Sequence, residues 1–267
     1  MTCRIIKPTG ILAGVIDYYW IVEHPGNRSV HRELVYPQLF LQMMFYFGSR
    51  FTQRHADGTS LQLPPGCICG LKDHYVHVEV TSGFGLLGVV FLPHAARQIL
   101  GIPVNEMRGI NVPLSDWLGR AGAELEERIF QASCHDDRIA ILEAFLLGRL
   151  SEPSYDQQRI AACIRQLQRK PWAISLKDLA GQACLSDRQF ERIFAGFAGT
   201  TPKQFHRIAR LNHAIEMAGI QKRVNLTSVA LASGYYDQAH FNNEFREMTG
   251  LSPRQFFRIS CDTGSVF

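Results

Sequence analysis

Leu176-Lys-Asp-Leu179-Ala180 and Leu226-Thr-Ser-Val229-Ala230 decide the fold, because they are one stretch written twice, 50 residues apart. Asp187 and Asp237 keep the same offset. The offset then becomes 51: Phe190 matches Phe241, Phe194 matches Phe245, Gly199 matches Gly250, Pro202 matches Pro253 and Phe205 matches Phe256. Self-similarity at a fixed period marks a repeated supersecondary unit. The one-residue change falls at the start of each unit's second long helix, where an insertion is tolerated. Each copy reads as a short helix, a tight turn and a second helix. In the first copy the helices span 176–183 and 187–198, with a turn at Cys184-Leu185 and Ser186 as N-cap. In the second they span 226–233 and 238–248, with a turn at Gly234-Tyr235 and Asp237 as N-cap. Gly234 suits a position just past a helix end, where positive φ is often needed.

The second helix of each copy shows its buried face by its period. Phe190, Ile193, Phe194 and Phe197 follow i, i+3, i+4, i+7, which is a core stripe. That turns Arg188, Glu191, Arg192 and Ala195 outward. Phe241, Phe245 and Met248 make the matching stripe, and Gln238, Asn242, Asn243 and Arg246 point away from it. Between the copies, 203–218 reads as a helix about 24 Å long at 1.5 Å per residue. Its stripe is Phe205, Ile208, Ala209, Leu211, Ile215 and Ala218. The remaining helices are expected over 156–169 and 253–260.

Outside this repeat the chain changes character. It has 267 residues, enough for two domains. Residues 1–154 hold 13 Lys+Arg against 15 Asp+Glu, and residues 155–267 hold 15 against 9. The repeat is therefore the basic part, and basic clustering is the footprint of a polyanion partner or of a solvated surface. The polar stretch Ser151-Glu-Pro153-Ser-Tyr-Asp156 is the linker, since Pro153 interrupts a helix entering it. Before it, 28–93 is rich in strand signals. Residues 36–47 read as a largely buried strand, 75–80 alternate, Ala56-Asp-Gly-Thr59 is a turn, and 86–92 form an apolar run of strand length. From Pro113 the pattern turns helical, over 123–132 and 136–150. Ile139, Leu142, Phe145 and Leu146 form the stripe of the latter. The fold class is α+β: residues 1–150 as a β-rich domain with appended helices, then an all-α domain over 155–260.

A helix-turn-helix lays its second helix in the major groove. There Arg pairs with guanine, Asn or Gln with adenine, and a carboxylate accepts from cytosine. The outward faces of the two second helices carry those residue types one turn apart. The stiff helix between them is of a size to set two such faces about one turn of DNA apart, roughly 34 Å. His206, Arg207, Arg210 and His213 on it either touch phosphates or are solvated. Residues 156–260 resemble the paired helix-turn-helix domain of the AraC/XylS family of bacterial transcription regulators. The resemblance is carried by Leu179-Ala180, Leu185-Ser186, Phe190-x-Arg192-x-Phe194, Gly199-x-x-Pro202, Arg210-Leu211-x-x-Ala214, Val229-Ala230-x-x-x-Gly234-Tyr235-x-Asp237, His240-Phe241, Phe245 and Gly250-x-Ser252-Pro253-x-x-Phe256. Tyr235 stands where the family more often has Phe, and Phe257 where Arg or a Tyr-Arg pair is usual. The resemblance implies that Arg188, Glu191 and Arg192 face bases or phosphates in one groove, and Gln238, Asn242, Asn243 and Arg246 in the next. Glu191 either accepts from a cytosine or pairs with Arg188 or Arg192. Residues 1–150 are similar to the sensor domain often joined to this one, through the 39–47 strand, Gly88-Val-Val-Phe-Leu-Pro93 and Val112-Pro-Leu-Ser-Asp-Trp117. A Pro-Asp-Gly turn is common there in relatives. This chain has Tyr36-Pro37-Gln38.

Other motifs lead away from catalysis. Gly83-x-Gly85-x-x-Gly88 is followed by a strand signal, whereas a dinucleotide site needs a helix there. His74 and His77 would point to opposite faces of a strand, which is poor geometry for one metal with His55 or His94. Cys67 and Cys69 would point to one face, as packing residues or as a redox-sensitive pair. Seven scattered cysteines without a Cys-x-x-Cys pair suit a reducing cytoplasm. No apolar stretch is long enough for a membrane span, and the N-terminus lacks a secretory core. Tyr36, Phe40, Phe45, Phe47 and Phe91 form either a small apolar ligand cavity or plain core. The expected protein is a sequence-specific DNA-binding transcription regulator, such as an activator, without catalytic residues, cofactor or metal. Double-stranded DNA is its partner, and RNA polymerase, a small effector and a second copy of the chain stand as further partners. The alternative is a small-molecule-binding or enzymatic N-terminal domain with a helical protein-interaction tail.

Overall fold

The computed structural model describes residues 1–26, 30–81, 83–220 and 224–263. The N-terminal part is a pair of antiparallel sheets. Its strands are β1 (Thr2–Ile6), β2 (Ile16–His24), β3 (His31–Val35), β4 (Gln42–Gly48), β5 (Thr52–Arg54), β6 (Ser60–Gln62), β7 (Gly66–Cys69), β8 (Val76–Val80), β9 (Phe84–Phe91) and β10 (Asn111–Pro113). One sheet runs β1-β2-β9-β4-β7-β10 and the other β3-β8-β5-β6. Successive strand residues face opposite sides, and both sides of β4 are buried. Met43 and Phe45 enter a core beneath the helices, while Met44 enters the space between the sheets with Val22, Phe51 and Leu86. That is why 42–47 reads as a continuous apolar run. The turn at 56–59 is present, with Asp57 Oδ1 accepting from Thr59 N at 2.9 Å.

Two expectations need correction. The strand read over 36–47 begins only at Gln42. Pro37 has no N–H to give a ladder, and residues 36–41 leave the sheet to dock elsewhere. Strands β1 and β2 lie before the region that read as β-rich. The glycine motif sits within and just before β9. A Cβ on Gly88 would fall 2.0 Å from Trp20 Nε1, so this glycine makes room for the indole of the neighbouring strand.

The first helices, α1 (Ala96–Leu100), α2 (Leu114–Leu118), α3 (Arg120–Gln131) and α4 (His135–Arg149), cover the larger sheet. Leu125, Ile129, Leu142 and Leu146 are buried against it, and Ile139 and Phe145 pack at its margin. The helical part follows as α5 (Tyr155–Arg169), α6 (Leu176–Gln182), α7 (Asp187–Ala198), α8 (Pro202–Ile220), α9 (Leu226–Ala232), α10 (Gln238–Thr249) and α11 (Pro253–Thr263). No helix among the described residues is long and apolar enough to cross a membrane.

The loop 36–41 joins the two parts. Leu39 is buried among Ile160, Phe194 and Phe205 of the first helical unit. Tyr36 meets Phe256 edge-on at 5.5 Å, and Asn212 Nδ2 of α8 donates to Gln38 Oε1 at 3.2 Å. On its other side the loop walls a cavity of about 230 Å³ between the sheets. Of the five aromatic residues singled out by sequence, Tyr36 and Phe40 line this cavity, whereas Phe45 and Phe91 are fully buried core. Phe47 packs on Phe130 and under Arg138. Gln53, Lys72 and Asn111 supply polar lining: Lys72 Nζ donates to Asn111 Oδ1 at 2.8 Å, and Asn111 Nδ2 to Gln53 Oε1 at 3.0 Å.

His94, between β9 and α1, is held neutral. Burial, and then the nearby Arg165 guanidinium on α5, push its imidazole down to about 4 from the usual 6.5. Its folded value lies below its unfolded one. As pH falls from about 6.5 towards 4, the unfolded chain therefore takes up a proton that the folded chain refuses, and stability falls across that window. A His94→Gln variant should show a flatter melting temperature between pH 7 and pH 4.5 than the parent. Parallel pH profiles for the two proteins would exclude this account.

Candidate nucleic-acid interface

Both expected helix-turn-helix units are present, each built by local chemistry. Ser186 Oγ accepts from Gln189 N, and Gln189 Oε1 accepts from Ser186 N at 3.3 Å, a reciprocal capping box that starts α7. Asp237 Oδ1 accepts from His240 N at 2.7 Å and starts α10. The turns match as well: Gly234 has φ +77°, and Cys184, its counterpart 50 residues earlier, has φ +53°. A Cβ on Gly234 would lie 2.4 Å from Trp172 Cβ, so glycine is needed there on two counts. Phe190, Phe194 and Phe197 are buried, as are Phe241, Phe245 and Met248.

The outer faces are largely open. Arg188, Glu191 and Arg192 on α7 are exposed, and none of them forms an ion pair among the described residues. The pairing of Glu191 with Arg188 or Arg192 is therefore absent from this conformation. On α10, Asn243 and Arg246 are exposed. Gln238 and Asn242 are half-buried, a departure from the outward placement expected of them. Gln238 Oε1 accepts from Thr227 Oγ1 at 2.6 Å, which leaves its amide N–H groups for another acceptor. Asn242 Oδ1 has no hydrogen-bond partner among the described residues.

The basic residues of α8 divide differently from expectation. Arg207 and Arg210 are ion-paired rather than simply solvated. Glu244, buried on α10, accepts from Arg207 Nε at 3.0 Å and from Arg210 Nη2 at 3.0 Å, and Glu247 accepts from Arg207 at 2.8 Å. Arg210 also stacks on Tyr235, 4.7 Å from the ring centre. His213 contacts Ser233 Oγ at 3.2 Å and meets Trp172 edge-on at 4.7 Å. The ion network ties the second unit to α8, and Phe194 ties the first by an edge contact to Phe205 at 5.3 Å.

Two exposed cations escaped the reading of the sequence. Lys203 and Arg254 each follow a proline at the first turn of the helix after a second helix, and they correspond at the 51-residue offset. The repeat itself held that signal. Tyr236, an aromatic residue 88% exposed in the turn before α10, escaped the reading too. Its counterpart is Ser186, so the repeat gave no warning of it.

Comparisons with known proteins agree with this geometry. Residues 179–259 match a family described as a helix-turn-helix domain, and residues 4–113 match a domain of unknown function (DUF6597). The HTH-type transcriptional regulator ArgR of Pseudomonas aeruginosa is 30% identical over 82 residues, 31% of this chain and 25% of its own length. The probable transcriptional regulator LumQ of Photobacterium leiognathi is 32% identical over 92 residues, 34% of this chain and 36% of its own length. This chain thus spans about a quarter and a third of those two relatives. A crystal structure of ToxT from Vibrio cholerae shares the fold, with a TM-score of 0.50 at 10% identity, covering 90% of this chain and 98% of that one.

Proposed function

We propose that this chain is an AraC-type helix-turn-helix transcriptional regulator, a reading that the match of residues 179–259 to a helix-turn-helix domain supports, that it binds duplex DNA through α7 and α10 together and that its β-rich part controls that binding. One observation carries this: two capped helices of the same repeat each present an open polar face while their aromatic stripes are buried. Arg188 and Arg192 suit guanine edges or phosphates, and Gln238, Asn242 and Asn243 suit adenine edges. Glu191, left without a cation partner, suits a cytosine amino group. Arg246, Lys203 and Arg254 suit phosphates. The last two stand in the first turn of α8 and α11, where the positive end of the helix dipole also favours an anion. Residues 1–150 act as the sensing or dimerising domain and 155–260 as the DNA-binding domain. The cavity behind loop 36–41 is the place for an effector. As an activator acting in the cytoplasm the protein would also contact RNA polymerase, which a promoter fusion reads directly.

The test begins with sites selected from random DNA and a gel-shift assay. Arg188→Ala and Asn242→Ala should each weaken specific binding by about 1–3 kcal/mol. Binding should also fall steeply with salt, because phosphate contacts release counterions. Unchanged affinity in the double variant would remove the assignment. Binding by residues 1–150 instead would favour the alternative in which the helices only mediate protein contacts.

A further inference from the structure

We propose that Cys69 is a modification site: a nucleophile for a compact carbon electrophile, of the α,β-unsaturated carbonyl class, admitted by the cavity between the sheets. Four observations meet at this thiol. Cys69 lines the cavity, whereas its neighbour Cys67 is fully buried and does not. The two sulfurs lie 3.6 Å apart on one face of β7, so the Cys67 S–H can donate to the Cys69 sulfur. Tyr46 Oη lies 3.9 Å from the same sulfur. Lys72 also lines the cavity, and no carboxylate pairs with it among the described residues. Glu33, the carboxylate among the lining residues, lies 3.7 Å from His31 instead. Hydrogen bonds to a sulfur and a nearby cation both favour its thiolate. In keeping with that, the Cys67 S–H, and after it the Lys72 charge, draw the Cys69 thiol below its ordinary range, against the opposing effect of burial.

The cavity says which electrophile. Its walls are mostly aromatic and aliphatic, with Tyr18, Phe51 and Val78 among them. About 230 Å³ is below the roughly 300–1,000 Å³ of ordinary small-molecule sites. A single ring or short branched chain fits such a space. Lys72 and Asn111 can donate to one carbonyl oxygen while the apolar body lies on the aromatic wall. In the step, the Cys69 thiolate forms a C–S bond to the β-carbon, the π electrons move to the carbonyl oxygen as an enolate, and a proton from solvent ends on the α-carbon. No oxidant is needed. The strand continues through Gly70 to Leu71, and Leu71 Cδ1 would stand 2.7 Å from a Cβ on Gly199, the C-cap of α7. An adduct on Cys69 therefore pushes on the strand that seats the first reading helix. That consequence for DNA rests on the function proposed above, whereas the modification does not.

The chain supplies its own controls, since Cys134 and Cys184 are exposed thiols. The full chain is treated with one equivalent of 2-cyclohexen-1-one at neutral pH, and adducts are located by peptide mass spectrometry. Cys69 should be modified at least about tenfold faster than Cys134 or Cys184. Cys67→Ala and Lys72→Met should each slow the Cys69 adduct about tenfold while leaving the exposed thiols unchanged, with circular dichroism confirming that both variants fold. Modification first of Cys134, Cys184 or Cys3, which also lines the cavity, or an adduct on the Lys72 amine, overturns the proposal. So does a Cys67–Cys69 disulfide formed with cumene hydroperoxide in a chain whose Cys69 ignores the enone, which would make the pair an oxidant sensor. An adduct on Cys69 in a chain that shows no DNA binding in either state sinks the DNA reading and leaves this one standing. DNA binding without any Cys69 adduct does the reverse.

Discussion

Replacing Glu244 by alanine should cost about 3 kcal/mol of stability and loosen the second unit from α8. Removing one partner of a buried ion pair typically costs roughly 3–5 kcal/mol, because the remaining charge stays desolvated. The low end applies here. Arg207 keeps 24% exposure and a second partner in Glu247, whereas Arg210, at 12%, is left with the Gly234 carbonyl and the face of Tyr235. Urea unfolding of parent and variant measures the loss. Glu244→Gln should lie between them, since the amide oxygen can still accept one guanidinium hydrogen bond. The same change should weaken binding to a site that needs both α7 and α10 more than binding to the α7 half alone. A Glu244→Ala protein as stable as its parent would mean that the network is ornamental and that hydrophobic contacts alone hold α10 on α8.

Gly70→Ala should be the most damaging alanine substitution among the described glycines, at about 4 kcal/mol or more, a size reached only by a few mechanisms. Its Cβ would sit 1.5 Å from the Met107 carbonyl oxygen and 3.0 Å from that of Ile110. Both obstacles are backbone, so no side chain can swing away. Gly70 N also donates to Ile110 O at 2.9 Å, so a shift to relieve the clash breaks the junction between β7 and β10. Gly148→Ala is the matched control. It lies on the exposed face of α4 with nothing within 4 Å of the new methyl. There alanine should stabilise by roughly 0.5–1 kcal/mol, through the lower entropy of its unfolded chain. Thermal melts of the two variants should move in opposite directions, and a harmless Gly70→Ala would show that this loop has room the structure lacks.

The helical half was legible because each of its signals is local. A capping box spans four residues and a core stripe two turns. The offset of 50 and 51 residues then repeated the core signals, so Phe190, Phe194 and Gly199 were each supported twice. The β half was harder, because a strand is defined by partners far away in the chain. Loop 36–41 has the apolar content of a strand, yet Leu39 is buried by α5, α7 and α8, more than 100 residues onward. Arg207 and Arg210 read as phosphate contacts or solvated residues for the same reason: Glu244, which pairs with them, lies 37 and 34 residues away. The aromatic set split between cavity and core because Tyr36 and Phe40 sit on the loop that walls the cavity, whereas Phe45, Phe47 and Phe91 sit on strands and face the helix-covered side of the larger sheet. Alternation alone does not separate those sides in a strand buried on both.

Loop 36–41 has one more implication. It is a single short tether with one cheek in the cavity and the other wedged into both halves of the helical repeat. On the function proposed above, two equilibria that share such a hinge are coupled, and linkage makes their influence mutual. Whatever factor a cavity occupant applies to the grip on an operator, the operator must apply in return to the occupant. A chain parked on its promoter would then sense its small molecule at a different concentration from one adrift.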